Sequence, residues 1–559
     1  MRYIVRLFLG LGRSLLFFLL RIPWIVKLIA RVGFLHKRAN KLAINGFANI
    51  ARTRPHPFST QSSFSSWSSL TDKSWSGRHL PVSSIDPLSL PEWEGVNGLR
   101  PLFERPSHQQ RMCPKSTLLF ATFAQYLTDG FIRTVPEEDP DTGCLSEENR
   151  KRNTSNHDID MCTLYGRNAI QTAALRVKNP TKAQRGQLKS QIYMGEEYPP
   201  FLFKDGVVDP CFSVLDTPLG LRDILKNCES DNTVVATYAK SIRDRLFAVG
   251  GDRVNSVPQV SLLNTLWLRE HNRLASELVA RNEKWSDDQV FETARNIVIV
   301  EFIKVVIEDY INHIIPIAFP LAADSSVAWE ARWNKPNWIT TEFSLLYRWH
   351  ALIPDTIRWG EKDYEMGDGY FMNNIPLLAN GLQRSFEDLS AQKAGEIGPR
   401  NTNEHLVKIE DKSIRQGRIC ELASYNDYRE YLGFNSVKDF KEISNDDFVI
   451  EQLANSYRHV DEIDFFVGIF CEDRMKNSPL PKTIAAFVAL DAFTQALTNP
   501  LLSEHVFNND GQSDHPAFSR YGKEQIDSCT SLKEIISRNI VDADTLGFVG
   551  MTQEGWVPE

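Results

Sequence analysis

The stretch TEFSLLYRWHALIPD, residues 341–355, places Tyr347 and His350 three residues apart in a largely apolar run that Pro354 closes. Residues three apart share one face of a helix, so the pattern predicts a phenol and an imidazole side by side on a buried helix face. A lone histidine on such a face is more often a core residue than a ligand. No HExxH, CxxC or paired-histidine spacing completes a zinc site, and neither a GxSxG elbow nor a P-loop occurs. From these residues alone, the stretch indicates a His–Tyr site in a helical core.

The sequence around this stretch is dominated by helical periodicity. Residues 262–282, 287–314 and 483–497 carry apolar side chains at helical spacing, and we find no alternation typical of strands. The predicted fold class is therefore mainly α. We assign residues 101–545 to one catalytic domain and residues 546–559 to a C-terminal tail. Residues 57–79 are rich in serine with spaced aromatics, which predicts that residues 51–100 form an extended connection laid over the surface.

Composition and net charge exclude several classes of protein. The 559 residues are 42% hydrophobic and 24% charged, which is typical of a globular protein with a sizeable core. The net charge of −8 argues against a nucleic-acid-binding protein, because no broad excess of basic residues is available to neutralise phosphates. The eight cysteines are scattered without a CxxC pair, which predicts mostly free thiols.

The first fifty residues form a basic, amphipathic segment. Arg2, Arg6, Arg13, Lys27 and Arg31 project onto one stripe of a helix, opposite leucine, isoleucine and phenylalanine. Basic residues interrupt every window of the roughly 20 apolar residues that a spanning helix needs. They also recur too often for a cleavable signal. We predict that residues 1–50 are monotopic helices held in one leaflet of a membrane. A single span, a targeting peptide and a core helix are the alternatives.

The segment LLYRWHALIPD resembles the proximal haem segment of the prostaglandin endoperoxide synthases (cyclooxygenases), within the animal-type haem peroxidase superfamily. Eight further motifs follow the order of that family between about residues 50 and 535. They are FATFAQYLTDGFIRT (120–134), HDIDMCTLYG (157–166), SQIYMGEEYPP (190–200), RLFAVGGDRVNSVP (245–258), TLWLREHNR (265–273), VIEDYINHI (306–314), ASYNDYREYLGF (423–434) and VDEIDFFVGIFCED (460–473). Each motif alone is weak, and the resemblance depends on the ordered set.

The resemblance implies a site built around haem b. His350 would be the proximal ligand of the haem iron, and Tyr347 would be the phenol that becomes a tyrosyl radical. Gln125 would lie on the distal side, and Tyr310 would hydrogen-bond the radical tyrosine. The substrate positions implied are Arg52 at the channel mouth, with Arg54 as its rival, and Ile311, Ile314, Phe343, Leu346, Trp349 and Thr494 along the channel. The apolar residues among them fit an ordinary core equally well.

The chain departs from the family on the distal side. The family places a histidine four residues after the glutamine, whereas Asp129 occupies that position here. An ordinary carboxylate has a pKa near 4 and exchanges protons poorly near neutrality unless burial raises its pKa. We therefore expect haem binding and oxygenation with weak or absent hydroperoxide reduction. A competent Asp129 and an inactive haem-binding protein are the alternatives.

The function implied by the resemblance is a haem-dependent dioxygenase that adds O2 to a polyunsaturated, arachidonate-like fatty acid and forms a prostaglandin endoperoxide. One alternative is a dioxygenase of the α-dioxygenase or linoleate dioxygenase type, which forms a linear hydroperoxide. Another is a non-catalytic haem or lipid carrier. The expected partners are the fatty acid and a membrane surface. A homodimer is the usual state of the family, but the EGF-like module that helps to build that dimer is not found in this sequence.

Overall fold

The computed structural model describes residues 22–48, 58–106, 109–138, 143–316, 319–367, 370–508 and 516–558. Within these residues the predicted class is confirmed, because the fold is mainly α and its strands form only small sheets. Arg52, Arg54 and the first 21 residues of the predicted membrane segment lie outside the described residues.

Most of the α-helices pack around one large hydrophobic core, and the seventh and eighth pack into a second, smaller hydrophobic cluster. In chain order they are α1 (Pro23–Arg31), α2 (Gly33–Ala48), α3 (Trp67–Thr71), α4 (Leu118–Phe131), α5 (Cys162–Tyr165), α6 (Ala169–Leu175), α7 (Leu221–Cys228), α8 (Thr233–Arg243), α9 (Pro258–Arg281), α10 (Asp287–Val305), α11 (Asn312–Ile314), α12 (Ser326–Trp329), α13 (Thr341–Leu346), α14 (Ile375–Ala391), α15 (Val407–Ile419), α16 (Tyr425–Tyr431), α17 (Asp447–Ser456), α18 (Phe465–Cys471), α19 (Lys482–Leu497), α20 (Glu504–Phe507), α21 (Arg520–Ser528) and α22 (Leu532–Asn539).

The strands pair into two-stranded antiparallel sheets. They are β1 (Phe58–Ser59), β2 (Gly77–Arg78), β3 (Met112–Thr117), β4 (Gln191–Tyr193), β5 (Glu196–Tyr198), β6 (Phe203–Lys204), β7 (Val207–Val208), β8 (Thr356–Trp359), β9 (Lys362–Glu365) and β10 (Lys393–Gly395). Four sheets join strands that follow one another in the chain, and the fifth pairs β3 with β10. No disulfide bond links the described cysteines.

Helices α9 and α10 form the centre of the core. Pro258 occupies the first turn of α9, where a missing N–H costs nothing, and Ser286 caps α10 by accepting a hydrogen bond from the Gln289 N–H. Most side chains of α9 are buried, and α4, α14 and α22 pack against it. The predicted helices over 262–282 and 483–497 are confirmed as α9 and α19.

The long helix predicted over 287–314 contains a turn of a different kind. Helix α10 ends at Val305, a π-helical segment covers Val306–Ile311, and α11 follows. A π turn widens the helix, and such turns recur at functional sites. Tyr310, for which the resemblance implied a role, lies inside this turn.

The stretch 341–355 differs from the continuous helix that the spacing of Tyr347 and His350 predicted. Helix α13 begins at the Thr340 cap and ends at Leu346, and His350 starts a 3-10 turn that reaches Leu352. The N–H groups of Arg348 and Leu352 donate to carbonyls three residues back, at 3.1 and 3.0 Å. Tyr347 and His350 therefore do not share a helix face, because tighter i−3 bonds replace the α-helical ones.

The composition of the Ser-rich segment 57–79 predicted an extended connection over the surface. Residues 58–79 of the structure differ from this prediction. Helix α3 forms within these residues, because the hydroxyl groups of Ser66 and Ser69 cap its first turn reciprocally. Trp75, Arg78 and His79 are buried in the body of the protein. The Arg78 guanidinium donates to the Cys420 carbonyl at 3.1 Å, so internal hydrogen bonds offset the burial of this polar segment.

A close approach of β10 to the 3-10 turn positions His350. A Cβ on Gly395 would lie 2.1 Å from the carbonyl oxygen of Ala351, a separation that real Cβ atoms do not adopt. The small sheet of β3 and β10 can therefore pack directly against the backbone beside His350 only because residue 395 is glycine.

Candidate active site

A cavity of about 440 Å³ lies between α4, the segment that precedes α9, and the turn at 347–353. Four consecutive residues of that turn, Tyr347 to His350, all line it. The other residues that line it are Ala121, Ala124, Gln125, Thr128, Asp129, Leu219, Gly220, Arg253, Ser256, Val257, Gln259, Leu352, Ile353, Met366, Tyr370, Phe371, Met372, Leu406 and Ile409. The cavity thus brings together five of the predicted site residues, namely Gln125, Asp129, Tyr347, Trp349 and His350.

The ring of Tyr347 is held between two aromatic neighbours. The ring of Phe343 meets it edge-on, with centroids 4.9 Å apart, and the ring of Trp349 lies 4.6 Å away at 31°. Burial raises the pKa of the Tyr347 phenol above its ordinary value, and the Asp491 carboxylate adds to the shift. The phenol therefore keeps its proton at any physiological pH and can give up a hydrogen atom rather than a proton.

Tyr310 lies beside Tyr347, and a side-chain hydrogen bond between the two phenols lowers the pKa of Tyr347 and raises that of Tyr310. The role that the resemblance implied for Tyr310 stays a prediction, because the contact of its hydroxyl departs from ideal hydrogen-bond geometry. Burial raises the pKa of Tyr310 far above its usual value, and the neighbouring phenol of Tyr347 raises it further. Phe120 stacks on Tyr310 with ring centroids 5.5 Å apart. The ring of Phe120 also stacks on Trp349, with centroids 5.9 Å apart. The two tyrosines thus belong to one aromatic cluster.

Asp129 is almost completely buried at the end of α4. Its Oδ1 lies 3.8 Å from Nη1 of Arg253, and its Oδ2 has no hydrogen-bond partner among the described residues. Burial raises the pKa of Asp129 to about 6, although the positive charge of Arg253 opposes this shift. The condition under which a carboxylate could exchange protons near neutrality is therefore met at this position.

Gln125 lies one helical turn before Asp129 and borders the same cavity. Its amide Nε2 donates to the Ser256 hydroxyl at 3.3 Å, which ties α4 to the segment before α9.

Three arginines bring positive charge together at the cavity, with Arg253 and Arg348 in its wall and Arg150 close to both. Burial and the positive charges of Arg253 and Arg150 lower the pKa of Arg348 to about 9. The Nε of Arg348 has no hydrogen-bond partner in the described part of the chain. Burial also lowers the pKa of Arg150, with a further contribution from Arg253. A buried excess of positive charge favours an anionic ligand.

These features fit haem. Haem carries two carboxylates, which would neutralise the arginines, and an apolar ring, which the aromatic and aliphatic lining would cover. The cavity volume falls within the range of cofactor sites. His350 would hold the iron through Nε2, since Nδ1 already lies 3.1 Å from Oε1 of Glu410.

The other predicted substrate residues do not line this cavity. Ile311, Ile314, Phe343, Leu346 and Thr494 are fully buried and pack in the main core. The Thr494 hydroxyl donates to the Asp491 carbonyl of its own helix at 2.8 Å. Their role as channel residues stays a prediction. Of the five, Phe343 has a ring contact with Tyr347.

Sequence reasoning missed Arg253, Arg348 and Glu410. Arg348 stands between Tyr347 and Trp349, and Arg253 lies within the motif RLFAVGGDRVNSVP, so both occur in segments that carried the resemblance. Glu410 lies in VKIEDKSIRQGR, whose charge density is typical of an exposed helix face. No pattern in that segment indicates that one of its acids is buried.

Comparison with known proteins matches residues 113–547 to the family described as animal haem peroxidase. Prostaglandin G/H synthase 2 of Bos taurus is 26% identical over 487 residues, which cover 85% of this chain and 73% of that protein. Prostaglandin G/H synthase 1 of Rattus norvegicus is 28% identical, with 86% of this chain and 74% of that protein covered.

Two solved structures share the fold. The fatty acid alpha-dioxygenase of Oryza sativa superposes with a TM-score of 0.62 at 16% identity, covering 92% of this chain and 95% of that one. Peroxidase A of Dictyostelium discoideum superposes with a TM-score of 0.60 at 17% identity, covering 89% and 99%. At these identities the likeness concerns the fold alone.

The raised pKa of Asp129 predicts a pH-dependent gain in stability for Asp129→Asn. The folded pKa of about 6 exceeds the ordinary value of 3.8, so the folded state holds this proton more tightly than the unfolded chain does. That contribution to the free energy of unfolding is complete below pH 4 and is lost as the pH rises through 6. Asparagine cannot ionise and does not lose this contribution. Between pH 4 and pH 8, the free energy of unfolding of the variant should therefore rise by about 2–3 kcal/mol relative to that of the native protein.

Urea unfolding at the two pH values measures this difference. Asp363→Asn, in the exposed part of β9, is the matched control, and its effect should be the same at both pH values. An Asp129→Asn effect that does not grow with pH would contradict the raised pKa.

Proposed function

The chain belongs to the animal haem peroxidase family, which implies haem as its cofactor, and from this premise we propose that it is a haem-dependent fatty-acid dioxygenase. The observation that carries the proposal is that Tyr347 and His350, three residues apart in the chain, line the same cavity. A tyrosine so close to the expected iron ligand suits radical chemistry on a substrate. The prostaglandin G/H synthases and the alpha-dioxygenases to which the chain is similar support a fatty acid as that substrate.

The residues of the cavity have distinct proposed roles. His350 would hold the iron, and Arg348 and Arg253 would offer positive charge to the carboxylates of the cofactor. When bound, haem supplies the oxidising equivalent that removes one electron and one proton from the Tyr347 phenol. Phe343 and Trp349 hold the ring of Tyr347 and exclude water from it, which protects a radical from side reactions.

The reaction at Tyr347 regenerates the tyrosyl radical. The radical oxygen takes a hydrogen atom from a C–H bond of the fatty acid, which re-forms the phenol O–H and leaves a carbon radical. O2 adds to that carbon and gives a peroxyl radical. The peroxyl radical takes the hydrogen atom back from Tyr347, so the products are a hydroperoxide and the radical needed for the next turnover.

Two outcomes are proposed for the oxygenated chain. The first is a prostaglandin endoperoxide, which needs two O2 molecules and ring closure, and the sequence similarity to prostaglandin G/H synthases over most of the chain supports it. The second is a linear hydroperoxide, and the shared fold with the alpha-dioxygenase of Oryza sativa makes it the alternative. Ring closure requires attack at a bis-allylic carbon. A linear hydroperoxide can arise from that carbon, as in the linoleate dioxygenase type, or from the carbon next to the carboxylate, as in the α-dioxygenase type.

Replacement of Tyr347 by phenylalanine should abolish oxygen uptake without loss of haem. The variant removes one hydroxyl and leaves the ring contacts, so the Soret absorbance should equal that of the native protein. Tyr364→Phe, a half-buried tyrosine of β9 outside the cavity lining, is the control and should keep full activity. Oxygen uptake that survives Tyr347→Phe would reject the radical role and favour a protein that only carries haem or lipid.

An oxygen electrode and mass spectrometry, with arachidonate and palmitate compared, identify the product class. Palmitate has no bis-allylic carbon, so an endoperoxide-forming enzyme consumes O2 with arachidonate alone. Oxygen uptake with palmitate and a 2-hydroperoxide product would establish the linear alternative of α-dioxygenase type. A linear mono-hydroperoxide of arachidonate, without a bicyclic endoperoxide, would establish the linoleate dioxygenase type.

We also propose that hydroperoxide reduction is slow and that the residual rate passes through Asp129. Burial brings the pKa of this carboxylate to about 6, so it can accept a proton near neutrality. Arg253, 3.8 Å away, favours the ionised carboxylate, so we expect Asp129 to take a proton from a peroxide less readily than a neutral imidazole would. Asp129→His should therefore raise the rate of hydroperoxide reduction about 100-fold, and Asp129→Asn should remove it. The native rate should rise with pH through 6 as the carboxylate loses its proton.

Chromatographic conversion of a fatty-acid hydroperoxide to its alcohol measures this rate, with equal Soret absorbance in all three proteins as the control. If Asp129→Asn reduces hydroperoxide as fast as the native protein does, Asp129 has no part in the reaction.

The N-terminal helices are proposed to hold the protein on one leaflet of a membrane. Within the described residues, no helix has the length and hydrophobicity needed to cross a bilayer. One face of α2 packs on the protein through Ala43 and Ile44, whereas Phe34 of the same helix is 63% exposed and Leu28 of α1 is 57% exposed. Exposed apolar side chains amid basic ones are typical of interfacial helices. The exposed basic residues are Lys27, Arg31, Lys37, Arg38 and Lys41.

Flotation with lipid vesicles tests this proposal. The native protein should float with vesicles that contain anionic lipid, and the triple variant Phe34→Ser, Leu35→Ser, Leu42→Ser should bind at least tenfold less, because three exposed apolar contacts are lost. A variant with three serines at the exposed positions Val207, Val234 and Ile192, far from α2 in sequence, is the control. Equal flotation of both variants would contradict a role for α2.

A further inference from the structure

Glu410 is a buried glutamate in contact with His350. It lies in the first turn of α15, and its side chain is only 3% exposed. Its Oε1 lies 3.1 Å from Nδ1 of His350 and also accepts a hydrogen bond from the Thr402 hydroxyl at 3.0 Å. Its Oε2 has no hydrogen-bond partner in the described part of the chain. Burial of a carboxylate is costly, so the contacts that Glu410 makes have to compensate for it.

The contacts of Oε1 decide which nitrogen of His350 carries the proton. Thr402 donates to Oε1, so this oxygen acts as an acceptor, and the imidazole must then donate to it from Nδ1. In the neutral ring, the proton on Nδ1 leaves Nε2 with a free lone pair. His350 borders the cavity, so this arrangement presents the lone pair for a metal bond there.

We propose that Glu410 is a positioning residue that holds His350 in its Nδ1–H tautomer and strengthens its bond to the haem iron. An acceptor behind the ligating imidazole fixes the orientation of the ring and raises the basicity of Nε2, as carboxylates do behind metal-bound histidines. A more basic ligand stabilises the ferric state, so Glu410 lowers the reduction potential of the haem. The inference rests on the haem cofactor of the proposed function and is independent of the substrate.

Two substitutions separate the charge of Glu410 from its hydrogen bond. Glu410→Gln keeps an oxygen acceptor of the same shape and loses the charge, whereas Glu410→Ala loses both. Glu472→Gln is the matched control, because Glu472 is also a buried glutamate that accepts hydrogen bonds, from Tyr425 and Thr483, and it does not line the cavity.

The readouts concern the iron–histidine bond rather than turnover. Resonance Raman spectra of the ferrous protein should show a lower iron–histidine stretching frequency in Glu410→Gln and a still lower one in Glu410→Ala. Spectroelectrochemistry should show a more positive ferric/ferrous potential in both. Haem affinity should fall about 10–100-fold in Glu410→Ala, as for other lost partners of metal-bound histidines. The control should match the native protein in all three measurements.

Nitrogen NMR of the haem-free protein tests the tautomer directly. The native protein and Glu410→Gln should show His350 with its proton on Nδ1, and Glu410→Ala should show a mixture of both tautomers. An unchanged stretching frequency, potential and tautomer in Glu410→Ala that still binds haem would overturn the inference and leave the proposed function intact. Failure of the native protein to bind haem through His350 would instead reject the proposed function.

Discussion

The site depends on an irregular turn of backbone held inside an apolar core. On an α-helix, four consecutive side chains point around the whole circumference, because each residue turns by 100°. Tyr347, Arg348, Trp349 and His350 nevertheless all line one cavity. They can do so only because α13 stops at Leu346 and 3-10 bonds satisfy the backbone groups that follow. The bare backbone of Gly395 supports this turn from behind.

Charge is distributed unevenly around that turn. Arg253, Arg348 and Asp129 lie together on one part of the cavity wall, and Glu410 lies behind His350. Buried charges destabilise a fold unless they are paired, and the lowered pKa of Arg348 and the raised pKa of Asp129 express that cost. A bound dianionic cofactor would offset part of this cost, and its binding would then stabilise the fold.

The sequence predicted the parts of the fold that follow from local periodicity. Helices α9, α10 and α19 were recognisable because apolar residues recur at helical spacing over many turns. Gln125, Asp129, Tyr347 and His350 were found through motifs, and they do meet at one cavity. The end of α13 and the helix α3 were missed, because tertiary packing and reciprocal serine caps override the local pattern there. Glu410 was out of reach, since its burial depends on contacts with distant segments.

The π turn at Val306–Ile311 has a consequence for comparing this chain with other proteins. A π turn contains one more residue than an α turn, so it is equivalent to a single-residue insertion inside a helix. An alignment that treats VIEDYINHI as regular helix, against a protein that lacks the turn, shifts every later position by one. The equivalents of Tyr310, Ile311 and Ile314 would then be assigned to side chains that lie about 100° away around the helix axis. Residue correspondence in this segment has to be taken from superposed backbones.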